Sequence, residues 1–223
     1  MPSPDQLSNI PHILSEPRFA TYLQQCGNDR SEALLLYKWN LELSSAFVIP
    51  LHLLEVSLRN AVVECVEAVH TSNWPWNEGF IRRLPNPRRG YSPARDLQNI
   101  ARNMQNPTMG KVVAELKLVF WEKMFTSRHD TELWDMHIKR VFPNTPASST
   151  PSETRQIIHD NVQDIRNLRN RIAHHEPIFS RNNKDDYDKI YKLIAWRNTV
   201  TADWMQGIQT VTKLIANRPM RLP

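Results

Sequence analysis

The sequence predicts an all-α fold with one irregular basic insertion. Glycine is scarce, with 5 residues against 16 prolines, which suits a helical protein whose connections are marked by proline. Apolar residues recur over long stretches without the alternation that is typical of strands. A length of 223 residues is enough to bury a sizeable core. We therefore expect a single helical domain over residues 15–217, with residues 72–110 as the insertion.

The two ends of the chain are expected to lie outside the packed core. Residues 1–14 contain three prolines and predict a flexible N-terminal arm, and residues 218–223 predict a frayed tail. After the arm, Phe19 and Tyr22 belong to a short helix, which Gly27 and Asn28 should end.

Two long helices are predicted between this short helix and the insertion. Ser31 is a good N-cap residue, and the run that follows has a helical pattern until Pro50, where proline removes an amide donor. The second helix carries apolar residues at steps of three and four, which form one core-facing stripe: Leu51, Leu54, Leu58, Ala61, Cys65 and Val69.

The insertion combines many turn-forming sequences with a local excess of positive charge. Between residues 82 and 102 the only acidic residue is Asp96, whereas six arginines lie in the same stretch: Arg82, Arg83, Arg88, Arg89, Arg95 and Arg102. Such an excess can hold a phosphate backbone, so the first five of these arginines are candidate RNA-binding residues. The alternative is a solvated loop with surplus charge.

Further helices are predicted after the insertion. Residues 111–125 form one apolar helix, and a shorter segment that stops at Pro143 follows it. Ser152 should cap a long helix that starts with Glu153, where an acid suits the helix dipole. A final helix from about Asp185 should direct its apolar side chains inward, namely Tyr187, Ile190, Ile194 and Trp204.

Composition narrows the class of protein. No run approaches the roughly 18 uninterrupted apolar residues of a membrane span, and the first residues lack the order of a signal peptide, so we expect a cytoplasmic protein without membrane contact. A net charge of +5 and a pI near 9.4 favour polyanionic partners. Cys26 and Cys65 lack metal-site spacing and are expected to be buried thiols. The sequence contains no glycine-rich phosphate loop, which argues against a nucleotide hydrolase.

The segment IRNLRNRIAHHEP, residues 165–177, concentrates groups that suit phosphodiester chemistry. Arginine clamps phosphate oxygens, and histidine is the side chain that titrates near neutral pH without a shift. Pro177 disfavours helical geometry at Glu176, so His174 and His175 should lie at the end of a helix. The alternative is a basic helix end that merely gains from the helix dipole.

The same segment resembles a known ribonuclease signature. Arg169 and His174, with the polar Asn170 after the arginine, match the Arg-x4-His motif of HEPN ribonucleases, and the full run RNRIAHHEP is similar to the Abi-like, or abortive-infection, branch of that superfamily. Companion resemblances span most of the chain after Ser31: LYKWNLELSSAF, LLEVSLRNAV, AELKLVFWEKMF and LWDMHIKRVFP.

This resemblance implies a HEPN-like helical bundle and a metal-independent RNA endonuclease without a cofactor. It implies that Arg169, Asn170 and His174 are catalytic, that the protein is a homodimer, and that RNA is the substrate. It further implies an abortive-infection or toxin-type defence effector. Such an effector must be restrained by an inhibitory RNA, by a protein antitoxin, or by activation only on infection.

Helix geometry gives a reason for pairing two copies of the motif. Arg169 and His174 are five residues apart, so they point about 140° from each other on an ideal helix, whereas Asn170 and His174 share a face. One motif alone forms a poor pocket. Two motifs that face each other across a two-fold interface can surround a phosphate.

Several other residues are candidates for a supporting role. His175 and Arg171 are candidates to support the catalytic residues or to contact RNA, and the alternative is that they are plain surface residues. Glu176 either pairs with one of the histidines or is a simple exposed carboxylate. On the helix after Pro50, Glu55 and Arg59 are spaced for an ion pair, with Asn60 beside them. Because this segment resembles the family, the alternative to a simple ion pair is that these residues support the active site.

Two other functions are consistent with the same sequence. The first is a non-catalytic RNA-binding or interaction module that keeps the helical fold and the basic surface. The second is a helical DNA-binding regulator, although no short helix-turn-helix with a recognition helix is evident. Intact Arg169, Asn170 and His174 favour the nuclease.

Overall fold

The computed structural model describes residues 1–219, and this part of the chain is all-α, as predicted, with no β-strand. Thirteen α-helices occur within it: α1 Pro4–Leu14, α2 Glu16–Gln25, α3 Arg30–Ala46, α4 Val48–His70, α5 Glu78–Arg83, α6 Pro93–Asn103, α7 Met109–Glu115, α8 Leu118–Met124, α9 Asp135–Val141, α10 Pro151–Ala173, α11 Asn183–Arg197, α12 Thr199–Ile208 and α13 Val211–Ala216. Short 3₁₀ turns lie at Trp74–Trp76 and Ser127–His129, and a π-helical turn lies at Asp130–Trp134.

The two longest helices organise the core. α4 and α10 have 23 residues each, and both pack against α8, α9 and α11. Aromatic side chains fill the space between them: the rings of Phe125 and Trp134 stack with centroids 4.5 Å apart, and Trp134 Nε1 donates to the carbonyl of Met124 at 2.7 Å. The buried apolar side chains of the described residues form one cluster.

The expected N-terminal arm is wrong, because residues 4–14 form a helix. Ser3 Oγ accepts from the amide of Gln6, and Gln6 Oε1 accepts from the amide of Ser3, so both ends of a capping box are present. Pro4 occupies the first helical position, where its missing amide costs nothing. Pro11 is buried, and α1 packs against α2 and α3.

Only part of the predicted C-terminal tail can be compared with the structure. Met220–Pro223 lie outside the described residues. The guanidinium of Arg218 lies 5.2 Å from the centroid of the Trp39 ring, and Trp39 Nε1 donates to the carbonyl of Leu214 at 2.7 Å. The start of the tail therefore packs against α3.

The short helix α2 ends as predicted, but the break between α3 and α4 comes earlier than Pro50. Gly27 and Asn28 follow α2 with φ of 59° and 67°. Asp29, rather than Ser31, caps α3, and the chain breaks at Phe47. Pro50 then lies in the first turn of α4, where amides have no partner within the helix and proline is tolerated.

Residues 30–70 are long and apolar enough to cross a membrane when judged by length and composition alone. The core helix of a soluble protein meets the same criterion. Here Leu36, Leu43, Leu54 and Leu58 are buried against other helices, which is consistent with a soluble protein.

The insertion is more regular than predicted. Asn77, Ser92 and Thr108 each accept a backbone amide through the side chain and so start α5, α6 and α7. Sequences that resemble a series of turns therefore contain helix caps. Irregular backbone remains mainly in residues 84–92 and 104–108.

Two further helices also differ from the prediction in their bounds. The helix expected over residues 111–125 breaks at Leu116 and Lys117, and both Leu116 and Leu118 are buried on either side of the break. The long helix α10 starts at Pro151 because Thr150, not Ser152, forms a capping box with Glu153.

The predicted final helix is divided into three. Asn198 ends α11 and caps α12, since its Oδ1 accepts from the amide of Thr201 at 2.8 Å. Tyr187, Ile190 and Ile194 face the core as expected. Trp204 does not, because 58% of its surface is exposed.

Candidate active site

The helix α10 ends in a tight turn that carries both candidate histidines. His174 is the C-cap residue, and His175 adopts a left-handed conformation with φ of 57°. The amide of His175 donates to the carbonyl of Ile172 at 3.0 Å, and the amide of Glu176 donates to the carbonyl of Arg171 at 2.8 Å. This pair of bonds is a Schellman motif, which satisfies carbonyls at the helix end. The predicted position of the histidines at a helix end is confirmed.

Two arginines hold this turn, one from α10 itself and one from α2. Arg171 donates through Nε and Nη2 to the carbonyl of Pro177 at 3.0 and 2.7 Å, and its Nη1 lies 3.3 Å from Glu176 Oε2. Arg18, on α2, donates through Nη1 to the carbonyl of His175 at 2.7 Å. Arg171 and Glu176 are therefore engaged in shaping the turn.

Asn40 anchors the chain immediately after the turn. Its Oδ1, on α3, accepts from the amides of Ile178 and Phe179 at 2.8 and 3.1 Å. Asn40 is buried, so these two amides have no access to water and depend on this one oxygen. The signal for this role was present in the sequence, because Asn40 lies on the same helical stripe as the core residues Leu36 and Leu43.

Unlike Arg171 and Glu176, the three candidate catalytic residues take no part in holding the turn. Arg169 and His174 are exposed, and Asn170 is half-buried. Within residues 1–219, their side chains make no hydrogen bond or ion pair. These groups are therefore available to contact a ligand, and Asn170 and His174 share one face of the helix by their spacing.

That face continues toward a buried ion pair between α10 and α8. Arg166, one turn before Asn170, binds Glu122 through its Nε, and Lys123 Nζ lies 2.9 Å from the same carboxylate. Glu122 is completely buried. The pair fixes α10 against α8 close to the candidate residues, and sequence analysis did not identify it.

The polar residues of α4 do not form the predicted ion pair. Glu55 and Arg59 are half-buried, Asn60 is exposed, and no ion pair joins Glu55 to Arg59 in the described chain. Arg59 Nε is buried and has no hydrogen-bond partner. Across residues 1–219, no hydrogen bond connects these three side chains to α10.

The candidate RNA-binding arginines are separated into different surroundings. Arg82 lies 3.2 Å from Glu78, and Arg83 lies 2.6 Å from Glu132. Arg95 donates to the carbonyl of Pro87 at 2.6 Å. Arg88 and Arg89 are exposed in an irregular segment. They do not form one continuous basic strip.

Two other buried titratable groups, His129 and Cys65, lie outside α10. Burial lowers the pKa of His129 to about 4, so this histidine is neutral at pH 7. Burial likewise raises the pKa of the Cys65 thiol to about 12, and both Cys26 and Cys65 are buried, as predicted. Among residues 1–219, no group of three or more His, Cys, Asp or Glu side chains is arranged to hold a metal ion.

Comparison with known proteins found no matching family model, no matching curated protein and no matching solved structure. The function of this chain must therefore be inferred from its own residues. The end of α10 is the best starting point, because it combines a rigid turn with unengaged arginine, asparagine and histidine side chains.

Proposed function

We propose that this protein is a metal-independent RNA endonuclease of the HEPN superfamily, built as a HEPN-like bundle of the Abi-like branch. The observation that carries the proposal is that residues 169–177 contain two sets of polar side chains with different surroundings. Arg171 and Glu176 hold the turn, whereas Arg169, Asn170 and His174 stay unengaged at its surface. This second set is therefore accessible to a substrate phosphate.

The proposed reaction is attack by the RNA 2′-hydroxyl on the adjacent phosphorus. His174 moves protons in this step, and Arg169 stabilises the negative charge that builds on the phosphate oxygens. Asn170 orients His174 or the phosphate. The 5′-oxygen leaves, and the new end is a cyclic phosphate, so a deoxyribose at the cleaved position makes the strand inert.

The site is proposed to be shared between two copies of the chain. Arg169 and His174 point about 140° apart on an ideal helix, so one motif cannot easily surround one phosphate. Pairing two motifs brings arginine and histidine from both copies to the same phosphate. The biological role that fits is a cytoplasmic abortive-infection or toxin-type defence effector, restrained by an inhibitory RNA or a protein antitoxin.

Cleavage assays with labelled RNA and DNA in EDTA test this proposal. We expect RNA to be cut and DNA to remain intact, and His174→Ala and Arg169→Ala should each lower the rate at least about a hundredfold. His159→Ala is the matched control, because His159 lies on the same helix but about four turns before His174. It should cleave like the parent.

Three results would contradict the nuclease. These are cleavage only when a metal is added, full activity in both motif variants, or RNA that binds but is never cut by protein freed of any inhibitor. The last result would favour the second candidate, a non-catalytic RNA-binding module with the same fold. Its support is the set of basic grooves beside α5.

A further inference from the structure

A basic groove lies at the opposite end of the molecule's longest helices from the turn of α10. The C-terminal end of α4, α5 and residues 128–132 enclose about 810 Å³. Three arginines and a histidine line it: Arg82, Arg83, Arg128 and His70. Arg128 comes from a segment that sequence analysis did not connect with the insertion.

One carboxylate organises this groove without neutralising it. Glu132 Oε1 lies 2.7 Å from His70 Nε2 and 2.6 Å from Arg83 Nη1, so it fixes both side chains at the wall. Glu132 is the only acidic residue among the lining side chains. Arg128 is exposed and has no hydrogen bond or ion pair within residues 1–219. Arg82 is paired with Glu78 at 3.2 Å, outside the lining of this groove, so Arg128 supplies the free guanidinium and a small excess of positive charge remains.

A second groove of about 450 Å³ adjoins the first, and Arg82 lines both. Its floor is apolar, with Trp76, Ile81 and Ala101, and polar groups line it as well: the amide of Gln98, the guanidinium of Arg102, and the carboxylate of Glu78, which is paired with Arg82. An aromatic ring beside an amide suits an unpaired base, because the ring can stack on the base and the amide can bond its edge.

We propose that the two grooves form one binding surface for single-stranded RNA. A phosphate binds between Arg83 and Arg128 in the first groove, a base stacks on Trp76 in the second, and Arg82 contacts the strand between them. The choice of RNA over single-stranded DNA rests on the proposed function. The binding surface itself does not require cleavage.

This surface is distant from the candidate active site. Asp130, beside the first groove, accepts two hydrogen bonds from Arg155 near the start of α10, at 2.9 and 3.1 Å. His174 lies 19 positions later, which corresponds to about 28 Å along a helix. The surface would therefore hold a different part of the strand from the part that is cut.

Fluorescence anisotropy with a labelled single-stranded oligoribonucleotide tests the phosphate groove. The measurement uses the His174→Ala protein, so that the probe stays intact. Arg128→Gln should weaken binding roughly fivefold or more and reduce the slope of log K against log salt by about 0.7. Arg30→Gln is the matched control, because it removes the same charge from an exposed position at the start of α3 that lines neither groove.

Two variants test the base groove. Trp76→Leu should weaken binding about tenfold, since one stacked base is lost. Gln98→Ala should weaken it less, and because Gln98 is only half-buried, this variant keeps the test valid if Trp76→Leu is poorly folded. Duplex RNA should bind more weakly than the single strand, because its bases are paired.

Defined results would overturn the proposal. If Arg30→Gln weakens binding as much as Arg128→Gln, the charge effect is diffuse and the phosphate groove is wrong. If duplex RNA binds equally well and both base-groove variants behave like the parent, the base site is wrong.

A cleavage assay separates this proposal from the nuclease. With the catalytic His174 intact, Arg128→Gln should cut a dinucleotide like the parent, because so short a substrate cannot span about 28 Å. Loss of binding in Arg128→Gln together with no cleavage by any variant would support the binding surface and refute the nuclease. If RNA is cleaved and Arg128→Gln binds RNA like the parent, the nuclease is supported and the binding surface is refuted.

Discussion

His175 follows the C-cap of α10 and adopts the left-handed backbone conformation, with φ of 57°. Residues other than glycine pay roughly 1–2 kcal/mol for this conformation. Glycine avoids this cost, but it loses more conformational entropy on folding, which offsets part of the gain. We predict that His175→Gly raises the free energy of unfolding by about 0.5–1 kcal/mol, as measured by urea denaturation.

A control for this prediction lies two residues earlier. Ala173 is the last residue of α10, where helical geometry favours alanine, so Ala173→Gly should lower the free energy of unfolding by up to about 1 kcal/mol. If His175→Gly also destabilises the protein, the imidazole makes a stabilising contact that outweighs the backbone strain.

Single residues were predictable from sequence only where the signal is local. The pair Gly27 and Asn28, and the position of His174 before Pro177, depend on backbone preferences of a few neighbours. Arg18 shows the limit of this approach, because its partner, the carbonyl of His175, is 157 positions away and any exposed arginine on α2 would look the same.

At the scale of elements, the docking of α10 on α8 depends on a buried charge. Glu122 is completely buried and is bound by Arg166. We predict that Glu122→Met lowers the free energy of unfolding by about 3 kcal/mol, because the guanidinium then lacks its partner. Urea denaturation of the double variant Glu122→Met with Arg166→Met should show a smaller loss, since the guanidinium is removed together with its partner and the half-buried Lys123 ammonium can still reach water. An equal or larger loss in the double variant would contradict this explanation.

Helix patterns predicted which segments are helical better than where the helices end. α10 and α4 were expected within a few residues, because each has strong periodicity and flanking prolines. Residues 111–125 were expected to form one helix. The break at Leu116 could not be predicted, because no proline or glycine lies there. Trp204 was expected in the core, but Asn198 starts a new helix and changes which face packs.

At the scale of the whole molecule, stability should fall in acid because of one histidine. The pKa of His129 is about 4 in the folded protein and 6.5 in an ordinary environment. Between these values the unfolded chain binds more protons, so the free energy of unfolding decreases as pH falls from about 6.5 to about 4, by up to about 3 kcal/mol. Above pH 6.5 this histidine has no effect.

Urea denaturation across this pH range measures the effect. Carboxylates also contribute to acid sensitivity, so the relevant quantity is the difference between the parent and His129→Leu, which lacks the titrating group. The difference should change by up to about 3 kcal/mol between pH 6.5 and pH 4. Parallel curves would show that His129 is protonated as easily in the folded protein as in the unfolded chain.

The proposed shared site makes activity depend on assembly. We predict a homodimer by light scattering under the conditions of RNA cleavage, and a specific activity that falls when the protein is diluted below the dissociation constant of the dimer. A protein that remains strictly monomeric while it cuts RNA would refute the shared site, although the motif itself could still act within one chain.

The contacts that hold the turn of α10 also set an order of events in folding. The Schellman bonds join residues of the same turn and can form as soon as α10 does. The bonds from Arg18 and Asn40 join residues 157 and 138 positions apart, and such long-range contacts form late because a large loop must close first. On the ribosome, the turn would therefore stay loosely held until the chain beyond residue 179 had emerged. In the proposed nuclease, the motif at residues 169–174 would therefore not be held in position before that stage of synthesis.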